Sequence, residues 1–197
     1  MTIAIIDYGA GNLRSISNAC AYLGKDAKLV SDPTAAEDAD AIILPGVGHF
    51  GDAMNKLKLW KNILLEKINE GVPFLGICLG AQVIFEESDE DPKVKGLGIF
   101  KGRCVRFSGV KCPHMGWNDI KVTREVPVLE GVGRDYFYFV HSYYVVPEDE
   151  EIIAAVTEYG TEFPAVIAKD NVLATQFHPE KSGEPGLRIL KNFLDVL

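Results

Sequence analysis

Four short apolar runs, Ile3–Asp7, Ala27–Ser31, Ala41–Pro45 and Pro73–Ile77, alternate with stretches whose apolar residues recur at helical spacing. The runs are brief, mostly aliphatic, and bounded by glycine, proline or aspartate, which marks buried strands. After the first, Leu13, Ile16, Cys20 and Leu23 form one helical stripe. Before the fourth, Leu57, Trp60, Leu64 and Ile68 mark a helix over Ala53–Glu70, and another helix is expected from Gly80 to Glu86. Strands and helices in alternation can bury both strand faces as a parallel sheet with helices packed on each side.

The second half changes character. "GRCVRFS", "WNDIKVT", "YFYFVHSYYVV", "IIAAVTEY", "FPAVIAKD" and "VLATQFHPE" read as strands, with a hairpin turn at Asp170-Asn171. A last helix over Pro185–Leu197 carries Leu187, Leu190, Phe193, Leu194 and Leu197, with its proline near the start. The expectation is one α/β domain over residues 1–197: an open, largely parallel sheet flanked by helices and extended by antiparallel strands. At 197 residues and 47% hydrophobic content the chain can build one sizeable core.

Composition excludes several roles. A net charge of −8 argues against nucleic acid or an anionic membrane as the main partner. The longest uncharged run, Gly71–Phe85, has 15 residues, short of the roughly 20 that span a bilayer. The opening "MTIAIIDYGA" carries Asp7 and lacks a secretory pattern. The four cysteines are scattered and form no CxxC pair, so a reduced cytoplasmic protein without disulfides or a metal site is expected. The Gly9-Ala10-Gly11 loop has Arg14 where a dinucleotide fingerprint needs its third glycine, and no P-loop is present. No cofactor is expected.

One cysteine is different. Gly76-Ile77-Cys78-Leu79-Gly80 falls where the fourth strand hands over to a helix. In a nucleophile elbow the reactive residue sits on a sharp, strained strand–helix turn, with small residues on either side. The side chain then stands above the carboxyl ends of the strands, where open α/β sheets bind ligands. The helix N-terminus favours a thiolate there, and the amide of Leu79 would face a developing oxyanion. The plainer alternative is a buried structural cysteine.

A nucleophilic thiol needs a base. The candidates are His49, His114, His141 and His178. His178 lies in "QFHPEKS", where Pro179 keeps it extended. In an extended chain Glu180 points to the same side, so it could orient the imidazole. His141, in "FVHSYY", is the second candidate. His49 and His114 each follow a turn-like segment and lack a nearby carboxylate.

"PGVGHFG", "GICLGAQ" and "QFHPEKS" together resemble the class I glutamine amidotransferases. "DYGAGNLRS", "LPGVGHFGDAM", "PHMGWN", "YFYFVHSYY" and "FHPEKS" narrow the resemblance to the glutaminase subunits of imidazole glycerol phosphate synthase, over nearly the whole chain. The resemblance implies a flavodoxin-like amidotransferase domain. It makes Cys78 the nucleophile, His178 the general base and acid, and Glu180 its orienter. It implies an oxyanion hole from Leu79 and the Gly46-Val47 loop, and glutamine contacts from Gln82, Glu90, Ser142 and Tyr143. It also implies a (β/α)₈-barrel cyclase partner that receives the ammonia, with Met115, Trp117, Tyr138 and Lys181 near the docking face. Glu90 could instead be one more charge in a solvated "EESDED" run, and Trp117 an ordinary core aromatic. Three readings compete with the first: a free-standing cysteine hydrolase of γ-glutamyl or peptide bonds, a glutaminase subunit of another pathway, and a flavodoxin-like binding module with an inert thiol.

Overall fold

The computed structural model describes residues 2–195. Its strands in chain order are β1 (Ile3–Ile6), β2 (Ala27–Val30), β3 (Ala41–Gly46), β4 (Phe74–Cys78), β5 (Glu87–Ser88), β6 (Gly102–Arg106), β7 (His114–Asp119), β8 (Lys121–Val122), β9 (Tyr136–His141), β10 (Tyr143–Pro147), β11 (Ile153–Glu158), β12 (Glu162–Lys169) and β13 (Val172–Thr175). The α-helices are α1 (Leu13–Tyr22), α2 (Phe50–Leu57), α3 (Lys61–Asn69), α4 (Leu79–Val83) and α5 (Gly183–Asp195).

The main sheet runs β2-β1-β3-β4-β13-β12-β11-β8. Its first five strands are parallel, and β12, β11 and β8 continue it antiparallel. Alternate residues of β1 face opposite layers, as the two-residue strand period requires. Ile3 and Ile5 pack with Ile16 of α1 and Leu190 of α5. Ala4 and Ile6 pack with Met54 of α2 and Leu64 of α3. A sheet covered on both faces makes β1, β3 and β4 wholly buried, which explains their uninterrupted apolar sequences. β10, β6 and β5 form a second small sheet, and β7 pairs with β9 in a two-stranded ribbon.

Several boundaries differ from expectation. The helix expected over Ala53–Glu70 starts at Phe50 and breaks in the turn at Lys58–Trp60. The apolar stripe crosses that break because Leu57, Trp60 and Leu64 all point into one core, so periodicity alone cannot detect it. The helix at Gly80 is the short α4 and ends at Val83. "YFYFVHSYYVV" is two strands, since the chain turns a corner at Ser142 and β9 and β10 belong to different sheets. "WNDIKVT" likewise divides between β7 and β8. α5 begins at Gly183, ahead of Pro185, and the expected end at Leu197 lies outside the described residues. The Asp170-Asn171 turn joins β12 to β13 as a two-residue hairpin, with Asp170 at φ +51°.

The junction of β4 and α4 depends on glycine. A β-carbon on Gly80 would sit 1.9 Å from the Leu44 carbonyl oxygen of β3, and one on Gly76 would sit 2.8 Å from the Gly80 oxygen. Both obstacles are backbone, so neither can swing aside. Gly80→Ala should therefore destabilise the fold by about 3 kcal/mol or more, by overpacking a site that cannot relax. Chemical denaturation checks this; a midpoint unchanged from the parent would refute the close approach of α4 to β3.

Candidate active site

Adjacent parallel strands bring the distant motifs together. β13 pairs with β4, with Thr175 opposite Ile77, so Cys78 and the segment after Thr175 leave the sheet at the same edge. β3 lies on the other side of β4, and Gly46 is the register partner of Cys78. Cys78 has φ +56° and ψ −106°, far from relaxed strand geometry. A β-carbon-bearing residue held there stores about 1–3 kcal/mol of strain, which the surrounding packing must sustain. The thiol is buried among Val140, whose carbonyl oxygen lies 3.8 Å from Sγ, and Gln176, whose Nε2 lies 3.9 Å from it.

His178 is extended, and Pro179–Lys181 then curl into a short 3₁₀ turn. The strand alternation expected for His178 and Glu180 is therefore not what joins them. The tight turn folds Glu180 back, so that Oε1 lies 2.9 Å from His178 Nδ1. The Glu180 side chain is fully buried and that of His178 nearly so. Burial pulls His178 toward its neutral form, but the adjacent Cys78 sulfur and then Glu180 outweigh it and push its pKa up to about 10. Nε2 is buried without a well-formed hydrogen bond, yet the Cys78 sulfur lies near enough to raise the ring's pKa first as a hydrogen-bond acceptor and then by its charge. Catalytic contacts are often loose before substrate arrives.

The β7–β9 ribbon braces this histidine on both sides of its peptide. The His178 amide donates to the Tyr138 carbonyl at 2.9 Å. Tyr138 N donates to Ser182 Oγ, and that hydroxyl donates to the His178 carbonyl at 2.6 Å.

A cavity of about 240 Å³ opens at Cys78 and is lined by Val47, Leu79, Gln82, Glu90, Ser142 and Tyr143, with Val140 and His141 completing the wall. Gln82 Nε2 donates to the Tyr143 carbonyl at 2.8 Å and to Gln176 Oε1 at 3.2 Å. Glu90 is not a solvated charge: it is half-buried, and its Oε2 accepts the Phe50 amide at the start of α2 at 2.7 Å. Carboxylates are favoured there by the unpaired amides of a first helical turn. Tyr8 stands behind the wall, its hydroxyl buried without a partner and its pKa raised by burial and by the Cys78 charge.

Met115, Trp117, Tyr138 and Lys181 gather on the outer face of the ribbon. Met115 and Trp117 are 60% and 58% exposed, so Trp117 is no core aromatic. Trp117 meets the edge of Tyr138, and Lys181 Nζ lies 5.8 Å above the Tyr138 ring. The other histidines separate. His49 caps α2 through Nδ1, which accepts from the Gly51 amide, while His114 and His141 pair inside the ribbon. Sequence reasoning missed Gln176, Val140 and Tyr8. Gln176 stood inside a quoted motif, but only the β4–β13 register shows that it reaches Cys78. Among the described residues, no group of three or more His, Cys, Asp or Glu is placed to hold a metal ion, and no helix is long and apolar enough to cross a membrane.

A family model described as glutamine amidotransferase class-I matches residues 4–197. The imidazole glycerol phosphate synthase subunit HisH of Methanothermobacter thermautotrophicus is 54% identical over 196 residues, covering 99% of this chain and 98% of that one. The protein of the same name from Methanocaldococcus jannaschii is 53% identical, covering 99% of this chain and 100% of the relative. Among solved structures, PurLQS from Thermotoga maritima is similar with a TM-score of 0.81 at 20% identity, covering 99% of this chain and 98% of that one. A crystal structure titled glutamine amidotransferase is similar with a TM-score of 0.79 at 23% identity, covering 98% and 97%. At such identities these two likenesses speak for the fold.

The charge arrangement makes a pH prediction. His178 should remain protonated at pH 8, and replacing Cys78 with Ala should lower its pKa, because the sulfur is the strongest influence raising it. A folded-state pKa above the unfolded value stabilises the fold fully below about pH 6.5, and the benefit fades as pH rises toward about 10. The stability gap between the parent and His178→Asn should narrow over that interval. NMR titration of the His178 ring and urea midpoints at several pH values check both; an ordinary histidine titration near 6.5 would contradict the arrangement.

Proposed function

Because the chain belongs to the class-I glutamine amidotransferase family and falls among the HisH subunits of imidazole glycerol phosphate synthase within it, we propose that it hydrolyses the side-chain amide of L-glutamine and passes the ammonia to a partner subunit. The observation that carries the reading is the buried His178–Glu180 pair, 2.9 Å apart, set beside a strained cysteine that lines a small cavity. At about 240 Å³ that cavity is smaller than the roughly 300–1,000 Å³ typical of drug-sized ligand sites, as a single amino acid requires.

The Cys78 thiolate attacks the side-chain carbonyl carbon of glutamine, and the C=O electron pair moves onto oxygen. The amides of Leu79 and the Gly46-Val47 turn receive that oxyanion. His178, kept protonated by its two neighbours, gives a proton to the departing nitrogen, and ammonia leaves a glutamyl thioester on Cys78. His178 then takes a proton from water, whose oxygen attacks the thioester. Glutamate leaves and the thiolate returns. Glu180 holds the imidazole by Nδ1 throughout, the part of the orienting carboxylate in such triads. Glu90, Ser142 and Tyr143 line the cavity where the α-amino and carboxylate groups of glutamine bind, and Gln82 faces the carboxamide.

Ammonia released into water would be lost, so the site must open toward a consumer. We read the partner as a (β/α)₈-barrel cyclase that makes imidazole glycerol phosphate, on the route to histidine, with both subunits in the cytoplasm. Its docking face would be the exposed ribbon of Met115, Trp117, Tyr138 and Lys181. This patch combines aromatic anchors with a cation, the composition that dominates interface energetics.

Cys78→Ala should abolish glutaminase activity and labelling by a glutamine-like diazoketone, and Glu180→Gln should lower kcat by about 10²–10⁴, the range for a lost triad orienter. Alanine at Met115, Trp117, Tyr138 and Lys181 together should weaken partner binding at least tenfold, since aromatic and cationic anchors each contribute about 1–2 kcal/mol or more. Activity assays with and without the cyclase, and calorimetric titration of the two subunits, test these outcomes. Labelling that survives loss of Cys78 would overturn the catalytic reading, and undiminished affinity would overturn the docking face.

A further inference from the structure

At the wall of the cavity, two histidines that the mechanism does not use meet edge-on. His114 of β7 and His141 of β9 are register partners across the ribbon, and His114 Nδ1 lies 3.0 Å from His141 Nε2. Both rings are buried, 4% and 6% exposed, against Phe107, Phe139, Phe163 and Tyr159. Two imidazoles at this distance can share a hydrogen in either direction, so their surroundings must decide.

The surroundings are decisive. His141 Nδ1 lies 2.8 Å from the Tyr143 carbonyl oxygen, which can only accept. That nitrogen therefore carries the hydrogen. Burial holds His141 far below its usual pKa, at about 3, against a smaller raising influence from the Tyr143 carbonyl, and burial holds His114 at about 4. Both rings are neutral near pH 7, so His141 Nε2 is bare and accepts from His114 Nδ1–H. His114 Nε2 is then bare in turn and accepts from Asn118 Nδ2 at 3.3 Å, while the same amide donates to the Glu158 carbonyl at 2.9 Å. The Tyr143 carbonyl receives a second hydrogen bond from Gln82, whose other amide hydrogen goes to Gln176 Oε1. Gln176 thereby presents Nε2 to the Cys78 sulfur. Every donor in the series has one direction.

We propose that His114 and His141 are positioning residues, a neutral hydrogen-bonded pair of Nδ1–H tautomers that holds the Tyr143 carbonyl, and through it Gln82, in place for the glutamine carboxamide. The inference rests on the glutaminase reading of the cavity and adds a role for two residues outside the triad. His141 also lines the cavity, and the chain turns from β9 to β10 immediately after it, at Ser142. Loss of its Nδ1–H frees the Tyr143 carbonyl to shift, and the wall that orients the substrate loosens. Because His114 sits one residue from Met115 on the docking face, the same pair ties that face to the glutamine pocket.

Two variants of the full chain, compared with the parent, test it: His141→Leu, which removes both hydrogen bonds, and His141→Asn, whose Nδ2 can replace the Nδ1 donor. The probes are the glutamine-like diazoketone 6-diazo-5-oxo-norleucine and the small thiol reagent iodoacetamide, both reacting at Cys78. The expected result for His141→Leu is a half-saturating diazoketone concentration raised about tenfold, the effect of one lost hydrogen bond, with iodoacetamide reacting within about twofold of the parent. His141→Asn should recover most of the lost affinity. Long-range proton–nitrogen NMR of the parent at pH 7 should find hydrogen on Nδ1 of both rings. Equal diazoketone affinity in the parent and His141→Leu, no recovery with Asn, or hydrogen on Nε2 of either ring would overturn the proposal. A parent that is not labelled by the diazoketone would instead overturn the glutaminase reading and leave the tautomer result to judge the pair by itself.

Discussion

A carboxylate with no exposure to water cannot remain charged unless a cation or several donors stand beside it. Glu180 is such a carboxylate, and among the described residues its one hydrogen-bond partner is His178. Much of the site is arranged around sustaining that contact. The Pro179–Lys181 turn brings the two side chains together, the ribbon pins the His178 peptide through Tyr138 and Ser182, and the Cys78 sulfur adds the second negative influence that keeps the ring protonated. A proton held this firmly at neutral pH is one that can be handed to a leaving amine. In the proposed mechanism, the electrostatic device that stabilises the buried pair is also the one the chemistry would use.

How much of this could be read in advance depended on sequence distance. The Cys78 elbow is local: glycines two residues to either side, an apolar run before and a helix after, all within one window. The parallel core was legible for a similar reason, because fully buried strands are continuous apolar runs. The His178–Glu180 pair was legible in its members but not in its geometry, since strand alternation and a 3₁₀ turn both place residues two apart within reach. The break between α2 and α3 was invisible because Trp60 keeps the apolar stripe in phase through the turn. The His114–His141 pair was illegible: the two residues lie 27 positions apart, and only the register of an isolated two-stranded ribbon sets them opposite each other. Short irregular strands carry little periodic signal, and "YFYFVHSYYVV" reads as one strand until the corner at Ser142 assigns its halves to different sheets.

The ribbon separates two tasks by strand alternation. Residues of one parity on β7 and β9, His114, Phe137, Phe139 and His141, are buried and reach the core and the cavity wall. Residues of the other parity, Met115, Trp117 and Tyr136, are exposed. A two-stranded ribbon with one wet face is only marginally stable alone. Here its inner face is secured by aromatic packing around the histidine pair and by the grip on His178.

That construction has a consequence for control. The element that presents Trp117 to the outside also supplies the carbonyl that holds His178, through Tyr138, and the carbonyl that lies against the Cys78 sulfur, through Val140. A protein docking on the outer face cannot displace β9 by even a fraction of an ångström without moving the contacts of both Cys78 and His178. Packed elements respond to such displacement by shifting between discrete arrangements rather than deforming smoothly. Coupling between partner binding and amide cleavage would then need no messenger loop and no long pathway. In that reading one strand would be at once the floor of the proposed docking face and the ceiling of the proposed catalytic site, and any ligand that distinguishes two positions of that strand would bias both.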